Sequence, residues 1–340
     1  MKHSVVIGGA GFVGSWVVEE LLKEEGRSIT VVDNLLSSER WNLSTNSRVS
    51  FVEGSAAEMG TLEKIAFPVD DVYQLACFHG NQSSIARPFE DLENGLKTTL
   101  TTLEWVKKNH PKARVVYSGA GCAVAEKTWG EPTAIEEVDQ TSLLHDSPYS
   151  ISKITGEMYC VYYARHYKLD IVRVRFQNVY GPREILGAGQ WRGTENTVWR
   201  NVIPTFVWKA IHNEPVQIYG DGTASRDFIY VGDVADGVIK ANKLGVSGQV
   251  YNISSGEETN LLKLISSIES LTYKTMEVNF HNKRYWDHSG RRFGSPIKSM
   301  KSLGFKSQTS LKTGLARTID WTIENAFMIE SAMKKHENKI

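Results

Sequence analysis

The sequence predicts an α/β protein, in which a doubly wound parallel sheet is followed by a smaller mixed α+β domain. Through the first half of the chain, short β-branched runs alternate with longer helical patterns. Alternation at this spacing requires crossover connections, which produce a parallel sheet covered by helices. Beyond Asn178 the periodicity is lost, and glycine and tryptophan become frequent over residues 181–201. We therefore expect a sheet domain over residues 1–178, rejoined by a segment near 226–255, and a second domain over residues 179–340.

The individual elements follow from local periodicity. Apolar, β-branched runs predict strands at Ser4–Ile7, Ser28–Asp33, Val49–Glu53, Val72–Ala76, Arg114–Ser118 and Asp170–Arg175. Longer patterns with helical spacing predict helices at Phe12–Glu25, Phe89–Asn109, Tyr149–Tyr167, Val202–His212, Val234–Leu244, Leu261–Leu271 and Leu311–Asn325. The second of these helices carries one apolar stripe, made by Leu92, Leu96, Leu100 and Leu103. The charged final residues, Lys334–Ile340, are expected to fray.

Composition and charge exclude several classes of protein. Hydrophobic residues are 41% and charged residues 23%, which is typical of a globular chain rather than a disordered or fibrous one. The 39 basic and 39 acidic residues cancel, so nothing indicates a nucleic-acid partner. No apolar run in the sequence approaches the ~18 residues of a membrane span. Three cysteines are too few for a disulfide framework, so we expect a cytoplasmic protein without a membrane partner.

A glycine motif lies between the first predicted strand and the first predicted helix. Gly8 permits a tight turn, Gly11 lets the backbone approach a pyrophosphate, and Gly14 allows the helix to pack closely on the strand. The N-terminus of the helix then presents its partial positive charge to the phosphates. Because strand, glycines and helix occur in the required order, the motif predicts a Rossmann-type dinucleotide site rather than a structural turn.

Asp33 ends the second predicted strand, about 20 residues after the glycines, where dinucleotide-binding proteins place an acidic residue. Its carboxylate accepts hydrogen bonds from both ribose hydroxyls and repels a 2′-phosphate. This position therefore predicts NAD rather than NADP as the cofactor. The alternative is that Asp33 is only a turn or helix-cap residue.

Tyr149 and Lys153 are four residues apart on a helix that follows Pro148, so their side chains share one helix face. A free tyrosine has a pKa of about 10 and is a poor base at neutral pH. A neighbouring lysine cation stabilises the phenolate and lowers that pKa. The pair therefore predicts a tyrosine base that removes a proton from a sugar hydroxyl, although the same spacing in isolation is common on solvated helix faces.

These motifs carry a resemblance that extends over nearly the whole chain. The sequence resembles the extended short-chain dehydrogenases/reductases, in the branch of NAD-dependent nucleotide-sugar epimerases and dehydratases. The motifs are GGAGFVG, the Tyr149/Lys153 pair, VYQLAC at 72–77, Asn94, RFQNVYGPR at 175–183, IYGDGTASRDFIYVGDVA at 218–235, YNISSGEETN at 251–260 and SLGF at 302–305. Together they are specific to this branch but not to one of its reactions.

The resemblance implies roles for further residues. NAD would contact Phe12 and Val13 at the pyrophosphate, Asn34 at the adenosine ribose, Ser55 (an aspartate in the family) at the adenine, and Leu75, Ala76, Cys77 and Asn94 along its channel, in addition to Gly8, Gly11, Gly14, Asp33, Tyr149 and Lys153. A nucleoside-diphosphate sugar would contact Asn178, Asn201, Arg226, Arg292, His79 and Arg192. Arginine suits the diphosphate because guanidinium groups bind phosphate oxygens strongly. Alternatively, Arg226 forms a surface ion pair with Asp227, and Arg292 belongs to a solvated pair of arginines. His79 is alternatively an ordinary polar neighbour. No metal site is predicted.

The sequence departs from the family around its fifth strand. Ala120 stands where the family usually has a Ser or Thr that hydrogen-bonds the reacting hydroxyl, so either Ser118 is re-aimed or a water does this work. Cys122 occupies a position that is acidic in dehydratases and a catalytic cysteine in GDP-sugar 3,5-epimerases. A free cysteine is alternatively a small buried hydrophobe. Arg192 replaces the second acid/base lysine of those 3,5-epimerases, and an arginine is a poor proton donor.

The resemblance and the departures lead to one functional prediction with alternatives. The leading function is an NAD-dependent nucleotide-sugar epimerase that forms a transient 4-keto sugar, with Tyr149, Lys153, Ser118 and Cys122 as the catalytic residues. Epimerisation at C4 is favoured, and epimerisation at C3 or C5 would use Cys122. The alternatives are a 4,6-dehydratase and a non-catalytic NAD-binding regulatory protein. By resemblance, the helices that begin near Phe89 and Tyr149 would form a homodimer.

Overall fold

A parallel sheet of seven strands forms the centre of the protein. The computed structural model describes residues 2–65, 67–121, 130–139, 143–288 and 290–340. The sheet strands are β1 (Lys2–Ile7), β2 (Arg27–Asp33), β3 (Val49–Glu53), β4 (Asp71–Gln74), β5 (Arg114–Ala120), β6 (Ile171–Phe176) and β11 (Val250–Ile253). Their order is β11-β6-β5-β4-β1-β2-β3, and every neighbouring pair is parallel. The predicted sheet class is confirmed.

Helices cover both faces of the sheet because alternate strand residues point to opposite sides. The helices around the sheet are α1 (Phe12–Leu22), α2 (Met59–Leu62), α3 (Asn81–Ala86), α4 (Pro88–Asp91), α5 (Thr98–Asn109), α6 (Pro148–His166), α7 (Val202–His212) and α8 (Val231–Leu244). One face packs against α1 and α8, and the other packs against α5 and α6. The neighbours Val5 and Val6 of β1 are both fully buried, each in a different one of these two cores.

The predicted helix over Phe89–Asn109 is interrupted. The chain forms α4, then a π-helical segment at Leu92–Lys97, and only then α5. The wider turn changes the angular register, so the predicted leucine stripe does not run along one face. Leu92 is half exposed, whereas Leu103 is buried in the core beneath the sheet. The prediction of one continuous leucine stripe was therefore only partly correct.

Outside the central sheet, the described residues form three two-stranded pairings. Strand β7 (Asn178–Tyr180) pairs with β10 (Phe228–Tyr230), β8 (Val216–Tyr219) with β13 (Val278–His281), and β9 (Ser225–Arg226) with β12 (Thr259–Asn260). The later helices are α9 (Leu261–Thr272), α10 (Ile297–Leu303), α11 (Leu311–Glu324) and α12 (Ala326–Lys334). Between them, α8 and β11 return the chain to the central sheet, as the pairing of β11 with β6 shows. Among the helices of the described residues, none combines the length and apolar character needed to cross a membrane.

The prediction that the C-terminal residues fray was wrong. Helix α12 runs to Lys334, and a 3-10 turn follows at Glu337–Lys339. His336 is 3% exposed, and its Nε2 lies 3.0 Å from the carbonyl oxygen of Gly187. The tail therefore closes over the loop at 187–200. The tail is rich in charged residues, so its composition alone did not predict this contact.

Candidate active site

The glycine loop between β1 and α1 has the geometry that a dinucleotide phosphate site requires. Gly8 has φ +83°, and a Cβ at this position would lie 2.8 Å from the backbone nitrogen of Ala76. A Cβ on Gly14 would lie 2.1 Å from the carbonyl oxygen of Gly8. Gly11 is the N-cap of α1 and supplies no side chain to the helix end. The amide groups of the first turn, which include those of Phe12 and Val13, are thus available to a phosphate.

Asp33 holds this loop from the end of β2. Its Oδ2 accepts from the backbone nitrogen of Ala10 at 3.1 Å, and its Oδ1 accepts from Leu35 N and Ser38 Oγ, each at 2.9 Å. Burial raises the pKa of the Asp33 carboxyl, and these donors oppose the rise. The side chain is therefore built into the loop by three hydrogen bonds.

Two asparagines and a serine that the resemblance assigns to the cofactor lie in the loops after β2 and β3 and in the π-helical segment. Asn34 Nδ2 donates to Asn94 Oδ1 at 3.1 Å, which joins the loop after β2 to the π-helical segment. Asn94 Nδ2 in turn donates to the carbonyl of Glu90 at 2.9 Å. Ser55 Oγ accepts from the backbone nitrogen of Ala57 at 3.2 Å. Predicted cofactor residues from three separate segments therefore lie along one edge of the sheet.

We expect NADP to bind at least about tenfold more weakly than NAD, because a carboxylate facing a 2′-phosphate costs more than ~1.4 kcal/mol in a desolvated pocket. Titration of both dinucleotides against the purified protein measures this preference. Asp33→Asn should reduce the preference for NAD over NADP. Asp236→Asn should leave this preference unchanged, since Asp236 pairs with Lys240 on the surface. Equal affinities of the parent protein for NAD and NADP would contradict the assignment of Asp33.

Helix α6 carries the predicted tyrosine–lysine pair. Ser147 caps it by accepting from Ser150 N at 3.3 Å, and Pro148 occupies its first turn. The backbone nitrogen of Tyr149 donates to Ser84 Oγ at 3.1 Å, which fixes the start of the helix against α3. Tyr149 and Lys153 then line one narrow cavity with Ala76 and Cys77, which follow β4. The other lining residues are Asp91, Gly95, Thr99, Tyr117 and Ser152.

Lys153 is positioned by β5. Its Nζ donates to the carbonyl oxygen of Ser118 at 2.8 Å and lies 3.3 Å from Ser118 Oγ. The Ser118 hydroxyl donates to the carbonyl of Gln74 at 3.0 Å, and the residue is 3% exposed. Ser118 thus faces the lysine and the sheet, so in this arrangement it positions Lys153. The re-aiming that would bring it to the reacting hydroxyl is not observed.

The sequence also departs from the family pattern at Ala120, the last residue of β5, and at Cys122. Ala120 is buried, and its methyl group packs with Ile135 and Ile154 beside Tyr149, so no hydroxyl replaces the missing one there. Cys122 lies outside the described residues, and its catalytic assignment stays a prediction. Cys77, by contrast, is a free cysteine that is partly exposed in the cavity beside Tyr149.

His79 lies directly beside the tyrosine. The two rings meet edge to face with centroids 6.1 Å apart, and His79 Nε2 is 3.2 Å from Asn201 Nδ2. Burial, helped by the charges of Arg200 and Arg192, lowers the pKa of His79 to about 3. The imidazole is therefore neutral at physiological pH, so that Nε2 accepts from the Asn201 amide and the ring cannot act as a cationic acid.

Sequence reasoning missed two charged residues behind Asn201. Glu184 accepts from Asn201 Nδ2, and burial raises the pKa of its carboxyl to about 7. Arg200 Nη2 donates to the carbonyls of Ser37 and Ala188, at 2.7 and 2.6 Å. Both belong to residues 181–201, where the sequence has no periodicity. The sequence signal that was available is weak, because Glu184 and Arg200 are only two of the five charged residues in this segment.

The predicted diphosphate residues lie outside the central sheet, with Asn178 on β7, Arg226 on β9 and Arg292 in the segment between β13 and α10. Arg226 Nη1 donates to Ser225 O at 2.7 Å and to Gly290 O at 2.8 Å. Arg292 is 8% exposed, and its Nε has no hydrogen-bond partner among the described residues, so the alternative of a solvated arginine pair is wrong. Asn178 lies in β7, and its backbone nitrogen donates to the carbonyl of Asp227 at 2.9 Å.

Asp227 links these segments. Its carboxylate accepts from Ser255 N at 2.9 Å and from Ser255 Oγ at 2.6 Å, and Gly256 N and Gly294 N donate to it, each at 3.1 Å. It therefore ties the end of β11 to the segment that carries Arg292. Arg192, the last predicted substrate residue, is 1% exposed. Burial, with the nearby charge of Arg200, lowers the pKa of the Arg192 guanidinium.

The fold and this geometry define a class of protein: an α/β enzyme built around a dinucleotide site and a tyrosine–lysine pair. The chain belongs to the NAD dependent epimerase/dehydratase family, which matches residues 4–254. The predicted resemblance to nucleotide-sugar epimerases and dehydratases of the extended short-chain type is thereby confirmed.

Similar proteins of known name agree with this family. The solved structure of the Bordetella bronchiseptica enzyme WbmF in complex with NAD+ and UDP is 46% identical, with a TM-score of 0.89 and coverage of 100% of this chain and 97% of that chain. The Thermotoga maritima UDP-glucose 4-epimerase with UDP-glucose is 29% identical, with a TM-score of 0.84, and the match covers 95% of this chain and 99% of that chain. A UDP-glucuronate 4-epimerase of Thermodesulfobacterium geofontis is 29% identical over 349 residues, covering 97% of this chain and 99% of its own length.

Proposed function

We propose that the protein is an NAD-dependent UDP-sugar 4-epimerase. The observation that carries the proposal is the shared cavity of Tyr149 and Lys153 at the carboxyl end of β4, with Lys153 fixed by Ser118. The fit of the glycine loop to a dinucleotide supports NAD as the cofactor. WbmF bound to NAD+ and UDP, and the 4-epimerase bound to UDP-glucose, support UDP as the nucleotide.

In this proposal the chain's own residues bind and orient the UDP-sugar and remove a proton from its C4 hydroxyl. Tyr149 removes the proton from the C4 hydroxyl, and the Lys153 cation stabilises the phenolate that makes this removal feasible. Arg226 and Arg292 hold the diphosphate, with Asn178 beside them. NAD, once bound, would supply reversible hydride acceptance at C4, so that the 4-keto sugar would rotate in the site and be reduced on its other face.

The alternatives predict different products. A 4,6-dehydratase would release water and needs an acidic residue near positions 121–122, which are Gly and Cys. A 3,5-epimerase would exchange carbon-bound hydrogen with solvent through Cys122. A non-catalytic NAD-binding protein would bind NAD without turning over any nucleotide sugar. Incubation with UDP-, GDP-, CDP- and dTDP-sugars, followed by mass spectrometry and chromatography, separates these outcomes, and 4-epimers of UDP-sugars are the expected product.

We further propose a homodimer through α6 and the segment around α4. Exposed apolar side chains cluster on this face: Ile151 is 50%, Met158 58% and Tyr162 44% exposed on α6, while Phe89 is 84% and Leu92 50% exposed beside it. The first three recur at i, i+7 and i+11, which makes one stripe. Apolar groups of this size on one face are typical of an interface.

The dimer is tested by light scattering at micromolar concentration, where we expect twice the chain mass of 38.1 kDa. Met158→Glu places a charge in the middle of the stripe and should yield a monomer. Met300→Glu is the matched control, because Met300 is 47% exposed on α10 and lies outside this face. A monomeric parent protein would contradict the proposal.

A further inference from the structure

The alanine at position 120 leaves the reacting oxygen without the hydroxyl donor that the family usually provides. Ala120 belongs to a small apolar cluster beside Tyr149. The Ser118 hydroxyl donates to the carbonyl of Gln74 instead. Oxidation at C4 builds negative charge on the oxygen, so a hydrogen-bond donor aimed at it from another part of the chain would lower the barrier.

His79 is held against Tyr149 by several contacts. The two rings meet edge to face with centroids 6.1 Å apart. His79 lies just before α3, and two hydrogen bonds join α3 to the start of α6. Ser147 Oγ donates to Asn81 Oδ1 at 3.0 Å, and Tyr149 N donates to Ser84 Oγ at 3.1 Å. These bonds keep the segment that carries the imidazole beside the tyrosine.

The hydrogen bond to Asn201 determines which nitrogen of His79 carries the proton. Asn201 Nδ2 has two hydrogens, of which one is donated to Glu184 Oε1 and the other to His79 Nε2 at 3.2 Å. Since Nε2 accepts, it has no proton, and in the neutral ring the proton is therefore on Nδ1. The low pKa of His79, caused mainly by burial, agrees with a neutral ring.

The Nδ1–H group of His79 is therefore a donor available to a ligand. Within the described part of the chain, Asn201 is the hydrogen-bond partner of this side chain, and it occupies Nε2. The His79 side chain is partly exposed. It follows closely after Cys77, which lines the cavity of the tyrosine–lysine pair. A neutral imidazole in such a place can stabilise a carbonyl oxygen.

We propose that His79 donates a hydrogen bond from Nδ1 to the C4 oxygen of the sugar and so replaces the hydroxyl that Ala120 lacks. The inference rests on the proposed function and adds a catalytic residue to it. The proton of the C4 hydroxyl still goes to Tyr149, so His79 forms and breaks no covalent bond and keeps its own proton. It stabilises the negative charge on oxygen during oxidation and polarises the carbonyl during reduction.

Asparagine and glutamine retain different parts of the imidazole, which separates this role from a structural one. The amide of asparagine lies close to the position of Nδ1, whereas that of glutamine reaches the position of Nε2 and Asn201. His79→Gln should lower kcat on a UDP-sugar by about 10²–10³-fold, whereas His79→Asn should stay within about tenfold of the parent protein. The affinity for UDP, measured by calorimetry, and the NAD content should not change.

His166→Asn is the matched control, because His166 is exposed at the end of α6. It should retain the parental kcat. A loss in His79→Asn that equals or exceeds the loss in His79→Gln would overturn the proposal, because His79 would then serve only to hold Asn201. Parental kcat in His79→Gln would overturn it as well.

The tautomer of His79 is measured without turnover, by NMR of the parent protein labelled with ¹⁵N at histidine. The signals of His79 are assigned by their loss in His79→Gln. We expect a proton on Nδ1 and none on Nε2 at neutral pH. A proton on Nε2 would overturn the role of His79 whatever the reaction. A parent protein that turns over no UDP-sugar would instead refute the proposed function.

Discussion

Tyr149→Phe is expected to lower turnover by about 10²–10⁴-fold while the protein still folds and binds NAD. The substitution removes only the phenolic oxygen, which is the atom assigned to take the C4 hydroxyl proton. The ring remains to pack edge to face with His79, and the helix start remains held by the bond from Tyr149 N to Ser84 Oγ. Structure and cofactor content should therefore match those of the parent protein.

The measurement is kcat on the best UDP-sugar, with NAD content read from the purified protein. Tyr167→Phe is the matched control, since Tyr167 is 45% exposed at the C-terminal end of the same helix. It should retain parental turnover. If Tyr149→Phe turned over substrate at the parental rate, the assignment of the base would fail.

Glu157→Ala is expected to lower the free energy of unfolding by about 3–5 kcal/mol, the usual cost of removing one partner of a buried ion pair. Glu157 is 3% exposed on α6 and accepts from Arg175 Nε at 2.9 Å and from Arg173 Nη1 at 3.2 Å. Both arginines belong to β6, so this cluster fastens α6, which carries Tyr149 and Lys153, onto the sheet. Removing the carboxylate leaves the buried Arg175 and the partly buried Arg173 without their anion.

Denaturant unfolding followed by circular dichroism measures this loss. The control is Glu330→Ala, whose carboxylate is 52% exposed and lies 2.9 Å from Lys334 Nζ on the surface of α12. A pair of this kind contributes about 1 kcal/mol or less. A Glu157→Ala protein as stable as the control would show that the cluster does not fasten the helix.

Parts of the fold were predictable because the local sequence pattern and the tertiary contacts favour the same structure there. Strand β3 and helix α7 have the predicted bounds, since each is delimited by abrupt changes in apolar pattern. Around Leu92–Lys97 the sequence keeps a helical spacing, yet the chain forms a π-helical turn. Side-chain spacing alone does not distinguish a π turn from an α turn of similar composition, so this break could not be seen.

The candidate site likewise contains some features that the sequence predicted and others that it could not predict. Gly8, Asp33, Tyr149 and Lys153 were identified because each belongs to a short motif with a fixed spacing. The direction of the Ser118 hydroxyl was not predictable, because the pairing of β5 with β4 and the reach of Lys153 decide it. The contact between His79 and Asn201 could not be derived from spacing either, because the two residues are 122 positions apart in the chain.

The claim that the reaction proceeds by hydride transfer at C4 alone is tested most directly by epimerisation in deuterated water. The protein is incubated with a UDP-sugar that it turns over, and both substrate and product are examined by mass spectrometry. We predict a C4 epimer of unchanged mass, because the hydrogen returned to C4 is the one that was removed and no carbon-bound hydrogen exchanges with solvent. Deuterium at C3 or C5 of the product, or a product lighter by one water, would contradict the account.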